Sequence, residues 1–339
     1  MVIAIFTESI DVMEKLITAF PQNITDALNI AANIKLQPSK HRIENVVICG
    51  MGGSGIGGKL VGQWIQAECP VPVFSFQDYH LPAFVGPHTL VIGSSYSGNT
   101  EETLIAVEEA HERGAHIVAI CSGGQIQQFC ATHNYDCIVV PGGNPPRTAV
   151  GFSIVQLTAI FVQLGLASAD RMAEIESGRK LIVAELEAIH AEAKKIAAFL
   201  HGKVPAIYAG ANYEAVAVRT KQQFNENSKE LCWQHVIPEM NHNELVGWGG
   251  GDDRFAALFL QTGDLTPRNQ RRFDISVELV SAKTKQIHIT HAKGANQIER
   301  SLYLIHLVDW ASLYLSDLKH GDPMEIRVID YLKDELSKL

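Results

Sequence analysis

The chain reads as an α/β protein whose parallel sheets carry helices on both faces. Three observations predict this. The apolar run Val46-Val47-Ile48-Cys49 feeds a glycine-rich turn and then a helical pattern, β-rich apolar runs alternate with helical stretches along most of the chain, and the alternation begins a second time near residue 204. Apolar strands separated by helices are the signature of a parallel sheet covered on both sides. A length of 339 residues corresponds to about two domains, and the boundary is expected at 168/169.

The elements follow in order. Residues 8–36 carry apolar positions at helical spacing, and Pro38-Ser39-Lys40 ends the pattern, predicting an N-terminal helical arm packed on the first domain. The repeating unit then gives strand 45–49, helix 55–66, strands 71–76 and 89–93, helix 100–112, strand 116–121, a short helix near 124–132 and strand 137–140. Pro141-Gly142-Gly143-Asn144-Pro145-Pro146-Arg147 closes this series, and a long apolar helix over 150–165 follows. Residues 170–200 predict one linking helix. The second series gives strand 204–209, helix 211–224, strands 231–236 and 254–260, helix 267–282, strand 286–290, helix 296–317 and a last helix over 323–337. Ile207-Tyr208-Ala209-Gly210 opens it as Val47-Ile48-Cys49-Gly50 opens the first, which suggests a duplicated scaffold.

Composition excludes several classes. With 46% hydrophobic and 19% charged residues the chain is globular and not disordered. A formal charge of −9 argues against nucleic-acid or acidic-lipid partners, which need clustered Lys and Arg. The six cysteines include no Cys-x-x-Cys pair and lie mostly in apolar runs, as buried thiols of a reducing cytoplasm do. Glu8, Asp11, Glu14 and Lys15 interrupt the N-terminal apolar pattern, so no signal peptide is read there. Ser153, Gln156, Thr158 and Gln163 likewise make 150–167 a buried helix and not a membrane span.

The chemistry centres on Gly50-Met51-Gly52-Gly53-Ser54-Gly55. Such a turn brings backbone N–H groups to an anion at a helix N-terminus. The same letters satisfy the dinucleotide fingerprint Gly-x-Gly-x-x-Gly, with Asp78 placed as a ribose-binding acid, so an oxidoreductase is one reading. A second turn of the same kind, Gly93-Ser94-Ser95-Tyr96-Ser97-Gly98-Asn99-Thr100, favours one compact phosphate held from two sides. In a parallel sheet both turns lie at the carboxyl edge, where ligands bind. Gly53, Ser54, Ser95, Ser97 and Thr100 are therefore the candidate phosphate-binding residues, although Ser95 and Thr100 would also serve as ordinary helix caps. The corresponding turn of the second half, Ala211-Asn212-Tyr213-Glu214, lacks the cradle.

Gly-Met-Gly-Gly-Ser-Gly at 50–55 and Ser-Ser-Tyr-Ser-Gly-Asn-Thr-Glu-Glu-Thr at 94–103 resemble the sugar isomerase (SIS) domain family. Pro145-Pro146-Arg147, Phe224-Asn225-Glu226-Asn227-Ser228-Lys229 and Pro238-Glu239-Met240-Asn241-His242-Asn243-Glu244 resemble its bifunctional phosphoglucose/phosphomannose isomerase branch. The resemblance spans nearly the whole chain. It implies two flavodoxin-like α-β-α SIS domains, the first (1–168) binding phosphate and the second (169–339) supplying the base. The implied activity is the cofactor-free, metal-independent exchange of glucose 6-phosphate, and mannose 6-phosphate, with fructose 6-phosphate in the cytoplasm.

That reaction opens a sugar ring and moves a proton between C1 and C2 through a cis-enediol. The resemblance makes Glu226 the base, His242 the ring-opening residue donated across a homodimer interface, and Lys333 an assisting cation. Arg147, stiffened by two prolines, suits the enediolate. Without the resemblance Glu226 would read as a solvated glutamate in a polar Asn-Glu-Asn turn, Lys333 as a surface lysine and Arg147 as a loop arginine making a surface ion pair. A zinc reading of His235, Glu239, His242 and Glu244 fails on spacing, since Pro238 interrupts the helical face. A non-catalytic phosphosugar sensor is the alternative function.

Overall fold

The computed structural model describes residues 2–338, with side chains from residue 8 onward. Helices α1 (Val2–Thr18) and α2 (Phe20–Ala31) lead into a sheet of β1 (Asn45–Cys49), β2 (Val73–Phe76), β3 (Thr89–Ser94), β4 (His116–Cys121) and β5 (Asp136–Val139). The sheet is parallel throughout, in the order β2-β1-β3-β4-β5. Its helices are α3 (Gly52–Ile65), α4 (Glu101–Glu112), α5 (Gly124–His133), α6 (Val150–Gln163) and α7 (Asp170–Ala184). Odd and even strand residues alternate between faces. Val47, Val91, Ala119 and Cys121 pack with α4 and α5 through Ala106, Val107, Ala110 and Ile126, and Ile48 meets Gly58 of α3 on the opposite face.

The second series runs α8 (Leu186–Leu200), β6 (Val204–Gly210), α9 (Glu214–Ser228), β7 (Trp233–Ile237), α10 (Glu244–Gly247), β8 (Phe255–Gln261), α11 (Pro267–Ser281), β9 (Ile287–His291), α12 (Gln297–Leu318) and α13 (Arg327–Leu336). Its four strands are parallel in the order β7-β6-β8-β9. This repeats the first sheet without its fifth strand, so the two-sheet doubly wound α/β class read from the sequence is the fold observed. Ala206, Tyr208, Ala257 and Phe259 pack with Phe273 and Val280 of α11 on one face.

The chain forms two compact units. One holds residues 19–184 and 294–303; the other holds α1, residues 185–293 and residues 304–338.

Three expected elements differ. The helical arm over 8–36 is two helices, because the chain restarts at Phe20 with Pro21 in the first turn, where a missing N–H costs no hydrogen bond. The single helix over 170–200 is α7 and α8, broken at Glu185 where one unit gives way to the other; apolar spacing carries no signal of that break. Helix 211–224 is a 3-10 turn over Ala211–Tyr213 followed by α9, which continues to Ser228.

His306 is fully buried in α12, its Nε2 accepting from Trp310 Nε1 at 3.1 Å. Burial, reinforced by nearby His190, pushes its pKa down to about 3, against about 6.5 in an unfolded chain. Below that higher value the unfolded state takes up a proton that the folded state refuses, so stability falls as pH drops toward 3. The expected cost is about 1.4 kcal/mol per pH unit. Urea unfolding of wild type and His306→Gln between pH 7 and 4 checks this, and equal slopes for the two proteins would refute it.

Candidate active site

The strand order places the first site. The chain goes from β1 to β2 on one side and then crosses to β3 on the other, so the carboxyl ends of β1 and β3 lie side by side with connections leaving in opposite directions. Such a switch point opens a crevice at the sheet edge. The turns 50–54 and 94–100 both sit there, as the paired-turn reading requires.

Close backbone approach fixes the turn sequences. A Cβ on Gly53 would lie 2.5 Å from the Pro146 carbonyl oxygen and 3.2 Å from Arg147 N, and one on Gly50 would lie 2.6 Å from the Ser94 carbonyl oxygen. Gly98 has φ +71°, and a Cβ there would lie 1.8 Å from the Gly123 carbonyl oxygen. Only glycine satisfies both demands.

Ser54, in the first turn of α3, accepts a hydrogen bond from Tyr96 N–H at 3.1 Å, so its own proton is the one it can give to an anion. Ser95 Oγ donates to Thr100 Oγ1 at 2.9 Å, which aligns the Thr100 hydroxyl. Thr100 is the N-cap of α4 but makes no side-chain cap bond, and Met51 at the N-cap of α3 makes none either. Both helix starts thus keep the N–H character that attracts negative charge. Ser97 is exposed and accepts from Asn99 N–H at 3.2 Å.

Tyr96, which the sequence reading passed over, pins these segments together. Its carbonyl accepts from Ser122 N and Ser122 Oγ, at 2.8 and 2.7 Å, and its hydroxyl donates to the Pro141 carbonyl oxygen at 2.8 Å. Burial raises its phenol pKa. The third segment, 141–147, is thereby held to the rim and brings Arg147 beside Gly53. Arg147 is buried, in contrast to a loop arginine making a surface ion pair. Asp78, the acid a dinucleotide site would use, is exposed beyond β2, its carboxylate accepting from Tyr79 N–H.

The second unit carries the remaining candidates. Glu226 lies in the last turn of α9 and is half-buried, not in a polar turn beyond the helix. Directional bonds to α12 hold that helix. The Arg219 guanidinium meets both Asp309 carboxylate oxygens at 2.9 and 2.8 Å, and Gln223 donates to Asp309 at 2.8 Å. Asn227 Nδ2 donates to Ser312 Oγ, and Ser228 Oγ donates to the Ser312 carbonyl. Burial raises the Asp309 pKa, with Arg219 acting against it.

His242 is exposed at the end of a 3-10 turn over Glu239–His242. Lys333 is exposed on α13, a helix that buries none of its own residues. Of His235, Glu239, His242 and Glu244, His235 and Glu244 meet as a pair at 2.6 Å, and among the described residues no group of three or more His, Cys, Asp or Glu could hold a metal ion. No helix among them is long and apolar enough to cross a membrane.

Comparison with known proteins supplies the family. A SIS domain profile matches residues 41–164, and a profile described as the bacterial phospho-glucose isomerase C-terminal SIS domain matches residues 189–336. The bifunctional phosphoglucose/phosphomannose isomerase of Caldicellulosiruptor bescii is 37% identical over 329 residues, covering 94% of this chain and 97% of its own. That of Aquifex aeolicus is 34% identical, covering 87% of this chain and 91% of its own. The chain belongs to the bifunctional phosphoglucose/phosphomannose isomerase family. Solved structures show the same fold at low identity. Tagatose-6-phosphate ketose/aldose isomerase from Escherichia coli has a TM-score of 0.72 at 14% identity, covering 92% of this chain and 94% of its own. The C-terminal domain of glucosamine-fructose-6-phosphate aminotransferase from Francisella tularensis has a TM-score of 0.73 at 16% identity, with 91% and 96% covered.

In this bifunctional phosphoglucose/phosphomannose isomerase family member, the Arg219–Asp309 pair is buried at both ends. Asp309→Ala leaves a buried guanidinium without its carboxylate, and the expected loss of stability is about 3–5 kcal/mol. Denaturant unfolding measures it, and a loss below about 1 kcal/mol would show that the pair does not hold α9 to α12.

Proposed function

We propose that the protein interconverts fructose 6-phosphate with glucose 6-phosphate and mannose 6-phosphate. The observation that carries the reading is the convergence of three segments at one switch point, with the Ser54, Ser95 and Thr100 hydroxyls, two open helix starts and the buried Arg147. Hydroxyls and N–H groups suit a dianionic phosphate, and a fixed guanidinium suits charge that develops during reaction. The family membership supports the same chemistry.

In this reading Gly53, Ser54, Ser95, Ser97 and Thr100 hold the sugar's phosphate. His242 protonates the ring oxygen as the bond from C1 to that oxygen breaks, and the anomeric O1–H gives its proton to water as the C1 aldehyde forms. The Glu226 carboxylate takes the proton from C2 of the open aldose, and the electron pair moves to give a cis-enediolate whose charge Arg147 stabilises. Protonation of O1 and loss of the O2 proton, with return of the carbon-bound proton to C1, yield the ketose. Addition to either face of C2 in the reverse direction gives the two epimers. Lys333 assists as a cation. We place the protein in the cytoplasm as a homodimer, with His242 supplied by the neighbouring copy. The domain assignment within it is phosphate binding by 1–168 and the base from 169–339.

Glu226→Gln should lower kcat on both aldose phosphates about a hundredfold or more, with KM little changed and the fold intact by circular dichroism. Near-wild-type turnover in an assay coupled from fructose 6-phosphate would overturn the reading, and binding without turnover in the wild type would favour a sensor. Tyr96→Phe removes the bond to Pro141, worth about 1 kcal/mol, and so should raise KM roughly fivefold with kcat within about twofold. An unchanged KM would show that the 141–147 segment does not need that pin.

A further inference from the structure

Glu244 lies two residues beyond His242, at the start of α10, and its carboxylate is the most heavily engaged acceptor of the 239–250 segment. Oε1 accepts from Trp233 Nε1 at 2.8 Å and from the Tyr208 hydroxyl, and Oε2 faces His235 Nδ1 at 2.6 Å. Tyr208 in turn accepts from Trp248 Nε1 at 2.9 Å. These donors come from β6, from β7 and from the far side of the same segment, so one side chain ties the His242-bearing turn to two neighbouring strands. Tyr208 is fully buried in the core of that sheet, which makes the anchor rigid. The Asn243 side chain accepts from Glu244 N–H and donates to Glu239 at 3.1 Å, bracing the turn from within. An exposed histidine on a short 3-10 turn would otherwise sample many positions, and a displacement of about 1 Å at a reacting group can cost a hundredfold in rate.

We infer that Glu244 is a positioning residue for His242. Through Tyr208, Trp233 and His235 it fixes the turn from which His242 reaches the ring oxygen. The inference rests on the proposed ring-opening role of His242. It makes Glu244 a determinant of the ring-opening step and not of phosphate affinity or C1–C2 proton transfer.

Ring opening and reclosure also exchange the α and β anomers of glucose 6-phosphate, so that step can be read without isomerisation. Exchange NMR of glucose 6-phosphate with Glu226→Gln, with Glu244→Gln and with the double variant separates the roles. The expected result is that Glu226→Gln keeps anomer exchange above the spontaneous rate. Glu244→Gln should lose at least tenfold in both anomer exchange and isomerisation kcat, with KM within twofold. Unchanged kcat in Glu244→Gln, or lost isomerisation with full anomer exchange, overturns the inference, as does a wild type that does not accelerate anomer exchange at all. If Glu244→Gln does not fold, Trp233→Phe, which removes one donor to the same carboxylate, is read in the same way. An active Glu226→Gln refutes the proposed function; an inactive one with unaltered Glu244→Gln exchange refutes only the role of Glu244.

Discussion

The adjacency of β1 and β3 is the constraint on which the first unit's rim depends. Two parallel strands whose connections leave in opposite directions expose both strand-to-helix turns at one edge, and the backbones then approach so closely that side chains must vanish. Gly50 against Ser94, Gly53 against Pro146 and Gly98 against Gly123 are the consequence. A single methyl group at any of them meets carbonyl oxygen inside van der Waals distance. The glycines are therefore a record of which segments touch.

Much of this was legible in the sequence because parallel strands buried on both faces read as unbroken apolar runs. Val46–Cys49, Leu90–Ile92 and Ile117–Cys121 read as strands from their β-branched content and the turns that bound them, and the turn that follows each of the first two contains its own hydroxyls. Legibility ends where bonding is long-range. Nothing near Tyr96 in sequence announces Pro141 or Ser122 as its partners. Arg147 is as polar as any loop arginine until the fold buries it. Asn225 and Asn227 have low helix propensity, yet they are helical as Asn227 and Ser228 find Ser312 on α12. Glu226 stands out in the sequence only through the family resemblance, and tertiary packing places it inside the last turn of α9.

That packing is polar where apolar contact would have sufficed for stability. Arg219, Gln223, Asn227 and Ser228 recur along one side of α9, and each meets Asp309 or Ser312. Buried ion pairs add little net stability over apolar side chains of the same size. Their bonds are directional, however, and a satisfied buried network fixes one rotation and one axial register of the helix. The last turn of α9 inherits that register, and with it the direction of the Glu226 side chain.

The second sheet closes the corresponding turn by other means. β6 ends in Gly210 as β1 leads to Gly50, but the following turn is a 3-10 turn closed by Tyr213, fully buried, whose hydroxyl donates to Asp264 at 2.7 Å. A Cβ on Gly210 would lie 2.5 Å from Leu265 Cδ2. The turn after β6 is thus packed by the buried Tyr213 ring and by Leu265. Burying these side chains adds buried apolar surface at about 25 cal/mol per Å². The two copies of the fold thus close the same turn differently, one through backbone contacts that only glycine permits and the other through a buried phenol ring and a leucine.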